Sequence, residues 1–162
     1  MNKDILCIYY SRTGKTKQAM EDIASALDCE VVEIRDRVER DGAIGALRCA
    51  FDAVRKRTRP VEPFQTQRDL SMYKLVIVGT PVWAGRCSSI VRSFLKRRSY
   101  ELNDVAYVTT RGSEEADKDV FRQMDLCANK EHVAEVSLRV GSAGYYFWRD
   151  SFIKTITDLY GE

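Results

Sequence analysis

The six residues Ser11-Arg12-Thr13-Gly14-Lys15-Thr16 concentrate the features that hold a phosphate. Three hydroxyls offer short hydrogen-bonding groups, and Gly14 lets backbone approach an anion closely. The apolar pattern that follows predicts a helix whose first N–H groups point at the same spot. The same residue types also make an ordinary helix cap. Two sharper readings fail on spacing. Gly14-Lys15-Thr16 copies the end of the triphosphate-binding pattern G-x-x-x-x-G-K-T, but the first glycine would fall at Tyr9, inside a strand. A phosphoacceptor domain needs acids at the carboxyl end of the first strand, whereas Asp4 lies at its other end.

Other candidate groups are sparse. With one histidine, His132, no H-E-x-x-H pattern and no C-x-x-C spacing among Cys7, Cys29, Cys49, Cys87 and Cys127, no metal site is expected. An odd cysteine count also argues against a disulfide framework and for a reducing cytosol. Cys87 has no visible histidine partner and is not read as a nucleophile. Trp83, set between Pro81-Val82 and Ala84-Gly85, reads as a loop residue facing a ligand. Tyr145, Tyr146, Phe147 and Trp148 read as helix packing. No side chain is required as a catalytic acid, base or nucleophile.

The positioning elements follow from periodicity. Ile5 to Tyr10 is a buried strand, and Ala19, Met20, Ile23, Ala24 and Leu27 mark a helix after the loop. Glu30 to Ile34 is a short strand. Ile44, Leu47, Phe51 and Val54 predict the buried face of a second helix, with Arg48, Asp52, Arg55 and Lys56 opposite and Pro60 and Pro63 ending it. Leu75 to Thr80 is a continuous apolar strand that ends in the loop Gly79-Thr80-Pro81-Val82-Trp83-Ala84-Gly85. Ser88 to Arg97 is a helix, Val105 to Thr109 a strand, Glu114 to Cys127 a helix, His132 to Leu138 a strand and Phe147 to Tyr160 a last helix. Five strands alternating with five helices predict one domain spanning residues 1–162. Its architecture is α/β: a three-layer, doubly wound, five-stranded parallel sheet, strand order 2-1-3-4-5. In such sheets the loops after strands one, three and four form one ligand site.

At 162 residues and 44% hydrophobic content the chain has enough apolar mass for one core. Leu75 to Gly85, the longest uncharged stretch, is too short to span a bilayer, and Met-Asn-Lys-Asp runs into a strand, so a cytoplasmic protein without membrane insertion is expected. Net charge is +2, yet residues 35–68 hold nine Arg or Lys against five Asp or Glu. Interleaved acids make this a solvated surface rather than a nucleic-acid face.

Residues 9–16, Tyr-Tyr-Ser-Arg-Thr-Gly-Lys-Thr, resemble the phosphate loop S/T-x-T-G-x-T of the flavodoxin family, in its place after strand one. Gly79 to Gly85 resembles that family's loop along the flavin ring, and Thr109-Thr110-Arg111-Gly112-Ser113 stands where its second flavin loop lies. The resemblance implies a flavodoxin-like fold and flavin mononucleotide (FMN) as cofactor. It assigns the phosphate to Ser11, Thr13, Gly14 and Thr16 with the N–H groups of Arg12 and Lys15. It assigns the isoalloxazine to Pro81, Val82, Trp83, Ala84 and Gly85 on one side and Thr110, Arg111 and Gly112 on the other.

Three departures bear on function. Lys15 replaces a common Asn, the loop at Thr110 to Ser113 lacks a stacking aromatic, and the sequence pI is near 8.3 where carrier flavodoxins are acidic. Arg86, Arg92 and Arg111 in or near the flavin loops would stabilise anionic reduced flavin. That charge favours a two-electron reductase, taking hydride from NAD(P)H for a quinone-like acceptor, over a one-electron carrier serving a redox partner protein. A non-enzymatic interaction domain, docking through the basic helix 44–57, is the remaining alternative. Donor, acceptor and a homodimer stay open at this level.

Overall fold

In the computed structural model, which describes residues 1–37, 41–55 and 60–161, five parallel strands form the sheet: β1 (Asn2–Tyr9), β2 (Cys29–Glu33), β3 (Leu75–Trp83), β5 (Asp104–Thr110) and β6 (Ala134–Leu138). The two-residue strand β4 (Arg86–Cys87) pairs antiparallel with the end of β3. The order is β2-β1-β3-β5-β6, so the parallel strands follow the expected 2-1-3-4-5 pattern. Helices α1 (Lys15–Ala26), α2 (Gly42–Val54), α3 (Ser89–Arg98), α4 (Asp119–Ala128) and α5 (Tyr145–Tyr160) connect them.

Strand alternation divides the sheet's side chains between two cores. Leu6, Ile8, Val76, Val78 and Tyr107 pack with Phe94 of α3 and Met124 of α4. Ile5, Cys7, Leu75, Ile77 and Val108 pack with Met20 and Ile23 of α1 and Phe152 and Ile156 of α5. Burial on both faces is why β1, β3 and β5 read as unbroken apolar runs. Each fully buried aliphatic side chain contributes about 1.5–3 kcal/mol.

Four expectations need correction. The second helix forms, but its phase is inverted: Ile44, Leu47 and Phe51 are exposed, while Gly45, Cys49 and Asp52 are buried. Period alone fixes a stripe and not which stripe turns inward. The Asp52 backbone carbonyl, at 3.5 Å, accepts from the buried Arg92 of α3. The Val54 side chain and residues 56–59 lie outside the described residues. The fourth helix starts only at Asp119, because Ser113 and Glu114 carbonyls accept from Arg111 and Ser113 Oγ donates to Glu115 O. These side-chain bonds compete with helix formation over residues 113–118. Pro81 to Gly85 is not a loop but the extension of β3 and the turn of a hairpin. Finally, only Tyr145 of the aromatic run 145–148 is packed; Tyr146, Phe147 and Trp148 are exposed. No described helix is long and apolar enough to cross a membrane.

Candidate functional site

The strand order reverses at β1, with these five strands all parallel: β2 lies on one side of β1, and β3, β5 and β6 follow on the other. The carboxyl ends of β1, β3 and β5 are therefore adjacent, with Tyr9 paired to Gly79 and Pro81 paired to Thr110. Gly79 is small because α1 crosses there, and a Cβ at that position would lie 2.5 Å from Met20 Cγ and Sδ. Close packing of α1 on β3 thus brings the helix start to the end of the third strand.

Gly14 takes φ +93° and precedes the first helical residue, Lys15. Its N–H donates to Ser11 Oγ at 3.0 Å, which tightens the loop and leaves the Ser11 hydroxyl hydrogen for another acceptor. No side chain caps α1, no acid stands in its first turn, and Lys15 and Lys17 occupy that turn instead. Cations at a helix N-terminus oppose the macrodipole and leave the first N–H groups without anionic partners from the chain. A cradle at the surface, with nothing within 4 Å of a Cβ placed on Gly14, completes the arrangement.

Thr16 is buried, and its hydroxyl lies 2.6 Å from that of Thr110 at the end of β5. Arg111 N donates to Leu138 O at 2.9 Å, while its guanidinium donates to Ser137 Oγ at 3.0 Å and to the Ser113 and Glu114 carbonyls. That side chain holds the 111–114 segment in an arc.

On the β3 side, Val82 pairs with Cys87 and Trp83 with Arg86, and the turn residues Ala84 and Gly85 take φ +48° and +71°. Two successive positive φ values match the tight turn that suits the twist of a hairpin. Thr80, wholly buried, accepts from Ser88 N at 3.0 Å and ties the hairpin to the start of α3, where Ser88 Oγ caps Val91 N. Trp83 is half-buried and meets the ring of Tyr10 edge-on at 5.6 Å. The Thr80–Ser88 clasp and the Tyr10 contact carried no sequence signal beyond their residue types.

These three segments enclose a pocket of about 230 Å³ lined by Arg12, Thr13, Lys15, Thr16, Pro81, Val82, Trp83, Thr110, Arg111 and Gly112. Ser11 and Gly14 belong to the same first loop, while Ala84 and Gly85 form the hairpin turn beyond the lining. Asp117 leans on that turn, its Oδ2 standing 2.7 Å from where a Gly85 Cβ would be. A larger groove of about 380 Å³ runs between residues 60–64 and α3, away from the strand ends.

A sequence profile of the family described as flavodoxin matches residues 4–133. The chain belongs to the flavodoxin family. No curated protein matches it. Among solved structures, a protein from Bacteroides eggerthii superposes with a TM-score of 0.77 at 18% identity, over 98% of each chain. A flavoprotein in complex with FMN from Lactobacillus acidophilus gives 0.70 at 20% identity, over 91% of this chain and 99% of the other. Flavodoxin 2 from Bacillus cereus gives 0.58 at 17%, over 97% and 99%. At such identities the likeness establishes a shared fold.

In this member of the family the charge around the pocket differs from the sequence expectation. Arg86 donates to Gln123 of α4 at 3.3 Å, and Arg92 donates to Cys87 O at 3.2 Å. Both line a separate cleft between α3 and α4 with Lys96. The cations in the pocket are Arg12, Lys15 and Arg111, and none of the lining residues is acidic. Burial pushes the Cys87 thiol up to about 12, which excludes a thiolate nucleophile beside the hairpin at neutral pH.

Proposed function

We propose that this flavodoxin-family protein binds FMN in the 230 Å³ pocket and works as a two-electron reductase, taking hydride from NAD(P)H and delivering electrons to a quinone-like acceptor. One observation carries the reading: the carboxyl ends of three adjacent strands and the segments that follow them converge on a single pocket that holds three cations and no carboxylate.

The residues fit the cofactor. The phosphate would take the hydroxyl hydrogens of Ser11 and Thr13 and the N–H groups at the start of α1, with Thr16 beneath and Lys15 beside them. An anion there supplies what the helix terminus lacks, since Lys15 and Lys17 otherwise stand at its positive end with no acid in the turn. Pro81, Val82 and Trp83 form one wall for the ring, Thr110, Arg111 and Gly112 form the other, and Ala84 and Gly85 close the hairpin behind the first wall. The complex reported for the Lactobacillus relative supports the choice of ligand.

When bound, FMN supplies the redox chemistry, and the chain supplies position and charge. Arg111 keeps its guanidinium at the ring-side wall because two backbone carbonyls and Ser137 anchor it. Positive charge at that wall lowers the free energy of an anionic reduced ring relative to the neutral oxidised one. Trp83 offers a flat apolar face for the ring on the β3 side of the pocket.

The test is an absorption and fluorescence titration with FMN, repeated on a Thr13→Ala, Thr16→Ala double variant. Quenched emission that weakens in the variant supports the site. Redox titration then decides the class: one two-electron wave at a raised potential fits a reductase, and two well-separated one-electron steps with a strongly negative second step assign an electron carrier.

A further inference from the structure

Cys7 of β1 and Cys29, the first residue of β2, bring their sulfur atoms to 3.7 Å. Both are free thiols. Cys7 is fully buried beneath α1 and α5, whereas Cys29 is half-buried at the sheet edge. Neither belongs to the pocket described above.

A disulfide needs an S–S separation of about 2.05 Å, so the sulfurs must close by a further ~1.7 Å from the 3.7 Å observed. The slack is on the Cys29 side. Cys29 follows Asp28, which takes φ +49°, and opens an edge strand in which every residue is half-buried. Pairing between β1 and β2 is irregular there: Asn2 partners Cys29 but Leu6 already partners Glu30. Cys7 by contrast sits between two paired neighbours, Val31 and Ile77.

We infer that Cys7 and Cys29 form a redox site of their own, a dithiol that a hydroperoxide oxidises to an intrachain disulfide. Cys29, the accessible partner, attacks the terminal peroxide oxygen as its thiolate; the O–O bond breaks, one water (or alcohol) leaves, and Cys29 becomes a sulfenic acid. The Cys7 sulfur then attacks Cys29 Sγ, forming the S–S bond as the S–O bond breaks, and a second water carries off the Cys7 proton. Two electrons from the two sulfurs reduce one peroxide. The Cys29 contact and burial hold the Cys7 thiol well above the ordinary range, which keeps it protonated and unreactive until its neighbour is oxidised. The bond would enclose residues 8–28, and with them the whole phosphate cradle and α1.

The experiment treats the full chain with hydrogen peroxide, blocks remaining thiols under denaturing conditions and reads intact mass and non-reducing peptides. Expected are loss of two hydrogen atoms, a cross-linked peptide joining Cys7 to Cys29, reversal by dithiothreitol and a raised melting temperature. Cys29→Ser should abolish the cross-link and leave Cys7 blockable. Cys7→Ser should leave Cys29 as sulfenic or sulfinic acid. The inference is overturned if peroxide-treated protein still blocks both Cys7 and Cys29, if Cys29 passes to sulfinic acid with Cys7 present, or if the cross-link joins other cysteines. FMN binding does not enter either result, so the two readings stand or fall separately.

Discussion

The Thr16 and Thr110 hydroxyls, 94 residues apart in sequence, meet at 2.6 Å and join the start of α1 to the end of β5. Both groups are buried, so each depends on the other for a partner. Replacing one leaves an unsatisfied polar atom, at a cost of about 1–3 kcal/mol. Thr16→Val and Thr110→Val should each lower the urea midpoint by that measure. The double variant should lose less than the sum, and a strictly additive cycle would show the contact to be unimportant.

Gly79 marks the crossing of α1 over β3. Its added methyl would press on Met20 Cγ and Sδ at 2.5 Å and on Tyr9 Cβ at 3.1 Å. Gly79→Ala should therefore destabilise by about 1–3 kcal/mol, and by clearly less in a Met20→Ala background. Equal losses in both backgrounds would place the strain at Tyr9 instead.

The hairpin turn holds Ala84 at φ +48° next to Gly85 at +71°. An L-residue other than Asn, Asp or Gly pays about 1–2 kcal/mol for that conformation. Ala84→Asn creates the Asn-Gly pair favoured in such turns and should raise thermal stability by a few degrees without moving the pocket. Gly85→Ala should do the reverse, because its methyl would also strike Asp117.

Arg111 tests the electrostatic part of the proposed function. With its charge removed in Arg111→Gln, the two-electron midpoint of bound FMN should fall by roughly 10–30 mV, the equivalent of about 0.5–1.4 kcal/mol. An unchanged potential, measured by dye-linked titration, would remove this arginine from the account.

Cys87 gives a pH signature. Burial favours its neutral thiol, moving it from 9.0 to about 12, so the stabilisation is intact below pH 9 and is lost as pH rises toward 12. Over that interval wild-type stability should fall by roughly 1.4 kcal/mol per pH unit more than that of Cys87→Ala. Parallel curves for the two proteins would contradict the assignment.

What the sequence disclosed, and what it hid, has a physical pattern. Ile5 to Tyr9 and Leu75 to Thr80 are legible because strands buried on both faces are apolar at every position. The loop that opens α1 is legible because Ser11, Thr13, Gly14 and Thr16 are local in sequence. Helix α2 misleads because its exposed side carries Ile44, Leu47 and Phe51 while Asp52 turns inward and its backbone carbonyl accepts from Arg92, a tertiary contact that periodicity cannot register. Residues 113–118 have helical composition, but the Arg111 side chain captures their carbonyls. Arg86 and Arg92 are near the pocket in sequence and directed elsewhere by Gln123, Cys87 and Asp52, while the cations that line it include Arg12 and Lys15 from the first loop.

The two rims of the pocket are built to different stiffness. Trp83 stands on a hydrogen-bonded ribbon clasped to a helix cap by Thr80, whereas the opposite rim beyond Gly112 is an arc with one guanidinium as its keystone. The difference lies in what holds each rim, backbone pairing on one side and side chains on the other. Substitutions along the 112–118 lip change contacts made by side chains with backbone carbonyls, whereas those on the ribbon disturb strand pairing. The lip is therefore where the pocket can be reshaped while the sheet and the first loop stay as they are.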